Sequence, residues 1–168
     1  LAAYPDKPVK LLVGYGPGGA TDIIARLLSK YLTDKWGQAV VVENKPGASG
    51  MIAGDIVAKA APDGYTLLHA NMSQWATAPS LFKTAYEILR DFAPVSLVSS
   101  SPYLLLTHAT FPATSVKELV AIAKAKPGTL NFGSAGIGST SHLVAEIFRS
   151  MAGIAMTHVP YKGSALAA

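Results

Sequence analysis

None of the 168 residues is cysteine, which excludes disulfide scaffolds, thiol nucleophiles, Fe–S clusters and the cysteine-bearing zinc sites. It leaves the compartment open. Charge is also scarce: Asp, Glu, Lys and Arg make up 14% of the chain, and 14 basic residues against 10 acidic ones give a formal net charge of only +4. Lysines and arginines stand singly, without the basic stripe that nucleic acid calls for, so a small anionic ligand suits the balance better. Long hydrophobic runs are missing too. Apolar runs such as Val40–Val42 and Leu104–Leu106 are strand-sized, well short of the about 18 residues that cross a bilayer. Half of the residues are nevertheless hydrophobic, enough for a buried core and unlike a disordered tail. The length suits one large domain or two small ones. At the start, Leu1-Ala2-Ala3-Tyr4-Pro5 has no charged or apolar leader, but its small residues are like those left beside a signal-cleavage site.

Along the chain one arrangement recurs. The apolar run Val9–Val13 predicts a strand, and the segment from Gly14 to Gly19, with four glycines and Pro17, breaks it. From Thr21 to Trp36 the apolar positions Ile23, Ile24, Leu27, Leu28, Tyr31 and Leu32 recur at three-and-four spacing, predicting a helix with Thr21 as cap and Gly37 as stop. Ala39–Val42 then completes a βαβ unit. A loop over Asn44–Gly50, a helix over Met51–Ala61, a turn at Pro62-Asp63-Gly64 and a strand over Tyr65–Ala70 continue the alternation. Such alternation predicts an α/β fold with parallel sheets covered by helices. Two extended segments, Val95–Ser99 and Tyr103–Thr107, flank the break at Ser99-Ser100-Ser101-Pro102, which is the expected crossing between a first lobe (1–100) and a second (101–168). Beyond it come a helix over Ser115–Lys126, a strand over Leu130–Gly133, a glycine loop, a helix over Ser139–Ala152 and a strand over Met156–Val159. The chain ends at Ala168, midway through the second lobe on this reading.

Two loops carry most of the functional signal. The first runs Gly14-Tyr15-Gly16-Pro17-Gly18-Gly19-Ala20-Thr21-Asp22, the second from Gly133 through Ser134, Ala135, Gly136, Gly138, Ser139, Thr140 and Ser141 to His142. Each joins a strand end to a helix start, where unpaired amides and the positive helix end face a crevice. Glycine admits a ligand close to the backbone, and Ser and Thr add hydroxyl donors; both suit a carboxylate or a phosphate. Any tight βα turn also needs glycine and a hydroxyl cap. The pairing of two such loops across a hinge is what favours a ligand cleft. Tyr15 and Tyr161, inside loops, are candidate pocket walls, and His142, in the first turn after the second loop, is placed to orient that loop or touch the ligand.

Other readings compete. Gly14-x-Gly16-x-x-Gly19 after a strand, with Glu43 closing the next strand, is a literal dinucleotide fingerprint and gives the alternative of a nicotinamide- or flavin-dependent enzyme. Pro17 removes a donor from that loop, and Asp22 sets a carboxylate where a pyrophosphate would lie. No Gly-Lys-Ser/Thr follows either cluster, and Ser80-x-x-Lys83 lacks the motifs that accompany a serine acylase. His69, His108, His142 and His158 show no paired metal-ligand spacing, so no cofactor, metal or catalytic residue is expected.

The chain resembles the substrate-binding receptors of tripartite tricarboxylate transporters, the Bug family of periplasmic receptors. The resemblance rests on Tyr4-Pro5-x-Lys7-Pro8-Val9, Gly18-Gly19-x-x-Asp22, Val42-Glu43-Asn44-Lys45-Pro46-Gly47-Ala48 and Ala61-Pro62-Asp63-Gly64-Tyr65-Thr66-Leu67. It continues in Pro127-Gly128-x-Leu130-Asn131-Phe132-Gly133-Ser134, Gly136-x-Gly138-Ser139-x-x-His142 and His158-Val159-Pro160-Tyr161-Lys162-Gly163. It implies a two-lobed, type II periplasmic-binding-protein fold that closes on a small organic acid and presents it to a membrane permease, with no nucleic-acid partner. Relatives are about twice as long, in keeping with two domains. Tyr15 and Gly16 stand where many relatives have Phe and Pro or Ala. By position, the resemblance implies first-lobe contacts from Gly18, Gly19 and Ala20, with Asp22 fixing the helix start, and Asn71 and Ser73 lining the same crevice. In the second lobe it implies carboxylate donors at Ser134, Ala135, Gly136, Ser139 and Thr140.

Overall fold

The computed structural model describes residues 4–167, apart from the side chains at positions 78 and 79; the Leu1-Ala2-Ala3 start lies outside the described residues. Strand β1 (Val9–Val13) is the centre of the first sheet because it is apolar on both faces. Val9, Leu11 and Val13 face one side and Leu12 the other, and all four are almost fully buried. β2 (Val40–Asn44) and β3 (Thr66–His69) flank it, both parallel, in the order β2-β1-β3. The register sets Val13 beside Asn44 and beside His69, so the three carboxyl ends finish level.

Between β1 and β2 lies α1 (Ala20–Trp36), stopped by Gly37 at φ 68°, whose amide closes on the Thr33 carbonyl. A left-handed residue there favours glycine. The helix buries Ala25 and packs Leu28, Leu32 and Trp36 on the β1 core. Ile23, Leu27 and Tyr31, part of the same apolar periodicity, remain more than half exposed. The expected cap at Thr21 is also corrected: the N-cap is Gly19, in extended conformation, with no side-chain bond to the helix. After β2 a 3-10 turn at Ala48–Gly50 leads into α2 (Met51–Ala58), and after β3 a π turn at Ser73–Thr77 leads into the short helices α3 (Ala78–Leu81) and α4 (Ile88–Asp91).

Residues 92–107 then form no helix and pair with no strand. The two segments expected as strands therefore form none. Leu97, Leu104 and Leu106 are each more than 70% exposed. α5 (Val116–Ala125) opens with Ser115 Oγ accepting from the Glu118 amide, and Glu118 reaches back to the Thr114 amide at 2.7 Å. A second sheet follows from β4 (Asn131–Ser134) and β5 (Thr157–Pro160), parallel neighbours joined through α6 (Thr140–Ala152), with α7 (Ser164–Ala167) last.

Candidate ligand-binding cleft

Every strand of both sheets is followed by a loop at its carboxyl end, and loops from the two sheets touch. The Thr140 amide donates to Ser73 Oγ at 2.5 Å, and the two hydroxyls lie 2.7 Å apart. Thr77 Oγ1, 3.0 Å from the Ser73 carbonyl, lies 3.2 Å from the Gly138 carbonyl, Ser49 Oγ donates to the Ile137 carbonyl, and the Gly16 amide to the Lys162 carbonyl at 3.3 Å. All these groups are hydroxyls or backbone; no ion pair crosses between the sheets among the described residues. Carboxyl ends of parallel strands are where an α/β fold receives ligands.

In the first loop Asp22 is a fastener. Its carboxylate is buried and accepts from the Gly18 amide at 2.9 Å, Arg26 Nε at 2.9 Å and Asn44 Nδ2 at 2.8 Å. Burial alone would raise its pKa; hydrogen bonds from Arg26, Gly18 and Asn44, with the Arg26 charge, outweigh it and hold the group at about 2. Both oxygens are engaged within the protein, so Asp22 shapes the loop and the β2 end together. Gly19 leaves the first-turn amides of α1 without a side-chain acceptor, while Gly18 and Ala20 are exposed beside it. Close approach also requires glycine here: a Cβ at Gly16 would stand 3.0 Å from the Lys162 carbonyl, and one at Gly19 3.0 Å from Ser164 Oγ.

Tyr15 is buried under the loops. Its hydroxyl donates to the Ser49 carbonyl at 2.9 Å and lies 3.3 Å from Asn71 Oδ1, and burial raises its pKa above the usual 10.0. It ties three loops from beneath. Asn71 Oδ1 also accepts from the Ser73 amide at 3.0 Å, the geometry of an Asx turn. Gln74, buried, accepts from the Asn71 amide and donates to the Gly50 carbonyl at 2.9 Å.

The second loop is satisfied internally to a greater degree. Ser134 Oγ lies 2.6 Å from His158 Nε2 and accepts from the Gly136 amide at 3.1 Å. The Ala135 amide donates to Ser141 Oγ at 3.0 Å, Ser139 Oγ caps the His142 amide, and the Gly138 amide donates to His142 Nδ1 at 3.2 Å. Ser134 and Ser139 are each 1% exposed. Their hydroxyls hold the loop in shape; Thr140, on its rim, meets Ser73.

The structure brings Tyr15, Asn71, Ser73 and Thr140 together where loops of the two sheets touch, whereas Ser134, Ala135, Ser139 and His142 are engaged within the second loop and its supports. Ser49, Gln74 and Thr77 went unmarked in the sequence, and His158 and Lys162 were marked there without a place in the site. Asn44–Gly50 reads there only as a connecting loop, yet Ala48 and Ser49 adopt φ of 47° and 53°, a conformation rare outside glycine and suited to a loop held by its surroundings. Two surface hollows lie along Phe82–Glu87 and beside Glu146 and Ile154; the first borders the second loop, since Phe82 stands against Gly138. Among the described residues no three His, Asp or Glu side chains cluster as a metal site.

Residues 24–168 match the family described as "Tripartite tricarboxylate transporter family receptor". The chain belongs to this receptor family. Among curated relatives of the tripartite tricarboxylate receptors, Protein BugT of Bordetella pertussis is 42% identical over 163 residues, covering 96% of this chain and 50% of BugT. A UPF0065 protein of the same species is 40% identical over 162 residues, with the same shares. The chain therefore spans about half the length of the receptors it matches. Among solved structures, R. palustris Rpa4515 with adipate superposes with TM-score 0.94 at 39% identity, over 97% of this chain and 55% of that one. MatC from Rhodopseudomonas palustris with bound malate gives 0.90 at 34%, over 98% and 56%. The periplasmic binding protein BugD gives 0.84 at 35%, over 98% and 55%. The fold is that of these receptors, parallel-sheet α/β. The dinucleotide fingerprint has another origin in it: Gly14 makes room for Gln74 and Gly50, and Gly16 and Gly19 let the Lys162–Ser164 turn come close.

Proposed function

We propose that the chain is the ligand-gripping part of an extracytoplasmic, periplasmic receptor that captures a small carboxylate between two lobes, 1–100 and 101–168, and delivers it to a tripartite-type membrane permease. The observation that carries this reading is the meeting of strand-end loops through amides and hydroxyls alone, with α1 uncapped at Gly19. A carboxylate oxygen can replace Ser73 Oγ as acceptor for the Thr140 amide while its other end takes the first-turn amides of α1. Adipate and malate in the structures of two relatives have this chemistry.

Magnitudes show why two loops serve better than one. Charge-assisted hydrogen bonds contribute about 1.5–3 kcal/mol each, so three from one loop give roughly 5–9 kcal/mol before about 4 kcal/mol or more of lost motion is subtracted. Micromolar binding needs about −8 kcal/mol net. Donors from the second loop make up the difference and couple occupancy to closure, a shape change that a permease can sense.

Isothermal titration of the chain with malate and adipate is the direct test, with a thermal scan alongside. Saturable binding and a raised midpoint are expected, with no response to NADH. Enhanced NADH fluorescence without carboxylate binding would replace this reading by the nicotinamide-dependent alternative.

A further inference from the structure

Behind the second loop two imidazoles lie face to face. His142 (α6) and His158 (β5) stack with ring centroids 4.0 Å apart, and Phe132 (β4) stacks on His158 at 4.8 Å. Each imidazole holds the loop at one point. His142 Nδ1 accepts the Gly138 amide, so this nitrogen carries no proton and Nε2 carries it instead, 3.6 Å from Glu146 Oε1. His158 Nε2 bonds Ser134 Oγ, which in turn accepts the Gly136 amide. Two amides of one ligand-facing loop thus hang on one stacked pair.

We propose that His142 and His158 act as positioning residues that keep the 134–140 loop in its gripping shape only while both rings are neutral, so that acidification loosens the loop and weakens carboxylate capture. The capture half of this proposal rests on the receptor reading above. A proton on His142 Nδ1 would point at the Gly138 N–H, setting donor against donor. A proton on His158 would place a positive charge 4.0 Å over the other ring. The surroundings offer a single counter-charge. On α6, Glu146 faces His142 but is shared with Arg149 Nη1 at 3.4 Å; β4 presents the apolar Phe132; the loop and the facing Ser73, Thr77 and Phe82 carry no ionisable group. In agreement with this geometry, burial chiefly, then the neighbouring His142, lowers the His158 pKa below 6.5, against a smaller opposite pull from Glu146.

The test is amide NMR of the ligand-free chain from about pH 8 to 5.5, the span in which imidazoles titrate, with malate titrations at both ends. The Gly138 and Gly136 amides should shift together with the His142 and His158 ring protons. Malate affinity should fall about tenfold or more over that span. In His142→Asn, whose carboxamide oxygen accepts in place of Nδ1 and does not titrate, the Gly138 amide should stay bonded and pH-independent. Its malate affinity should then vary with pH several-fold less than that of the wild type, a comparison that cancels malate's own titration. Gly138 indifferent to pH while the His142 ring titrates, or an undiminished pH dependence in His142→Asn, would overturn the proposal. Should that variant fail to fold, the wild-type amide titration decides alone. Coupled amide titration with no malate binding at about pH 8 would uphold the positioning role and remove the receptor reading.

Discussion

At Asp22 burial and charge oppose each other, and the hydrogen bonds settle the outcome. With the folded pKa at about 2 against 3.8 in the unfolded chain, stability is gained above 3.8 and lost as pH falls through about 2. Allowing for the half-exposed Arg26 partner, the gain is on the order of 1–2 kcal/mol. Asp22→Asn should therefore lower the urea midpoint at neutral pH and flatten its decline across that acid window; an unchanged acid limb would show that another group governs it. Ser134 and Ser73 should separate in the same kind of measurement. Ser134→Ala leaves the Gly136 amide and His158 Nε2 without their buried partner, costing about 1–3 kcal/mol of stability. Ser73→Ala removes the acceptor that a carboxylate would displace, together with its contact to the Thr140 hydroxyl, so malate affinity at about pH 8 should stay within about threefold of wild type. A severe loss of affinity there would mean that Ser73 itself touches the solute.

Elements were legible where two periods and one stop signal agree. Val9–Val13 is apolar on both faces, α1 ends at the glycine that the sequence marks, and Ser139 caps α6 one residue before its start. Legibility failed where an element depends on distant partners. Val95–Ser99 and Tyr103–Thr107 have strand composition, but strands exist only as pairs, and no other described segment lies in register with them. The two glycine loops show the same division. Their glycines and hydroxyls are plain in the sequence, whereas the roles of Ser49, Thr77 and Lys162 arise from contacts more than 60 residues away in sequence, or use backbone atoms that every residue type has. One loop contact can be tested by crowding it. Gly16→Val would push against the Lys162 carbonyl and should cut malate affinity about tenfold or more, with a midpoint shift of only a few degrees. Unchanged affinity would mean that the Lys162–Ser164 turn has no part in closure.

Across the molecule many large apolar side chains stand exposed, among them Ile23, Leu27 and Tyr31 along α1, Val144, Ile147 and Met151 along α6, and the run containing Leu97, Leu104, Leu105 and Leu106. Exposed apolar side chains grouped along one helix or one run mark surfaces suited to being covered. The 168-residue chain should accordingly bind the dye ANS and associate as its concentration rises. Replacing Leu97, Leu104 and Leu106 with serine should reduce the dye signal by about half or more without lowering the thermal midpoint, because those side chains contribute little to the folded core. A fall in midpoint with unchanged dye binding would show that they are buried.

The uncapped start of α1 has a consequence for how such proteins diversify. A grip made of main-chain N–H groups is almost immune to point mutation, since every residue except proline supplies the same donor. On the proposed receptor reading, descendants can therefore exchange the side chains around an organic acid, and with them its length and shape, while inheriting the means of holding its charged end.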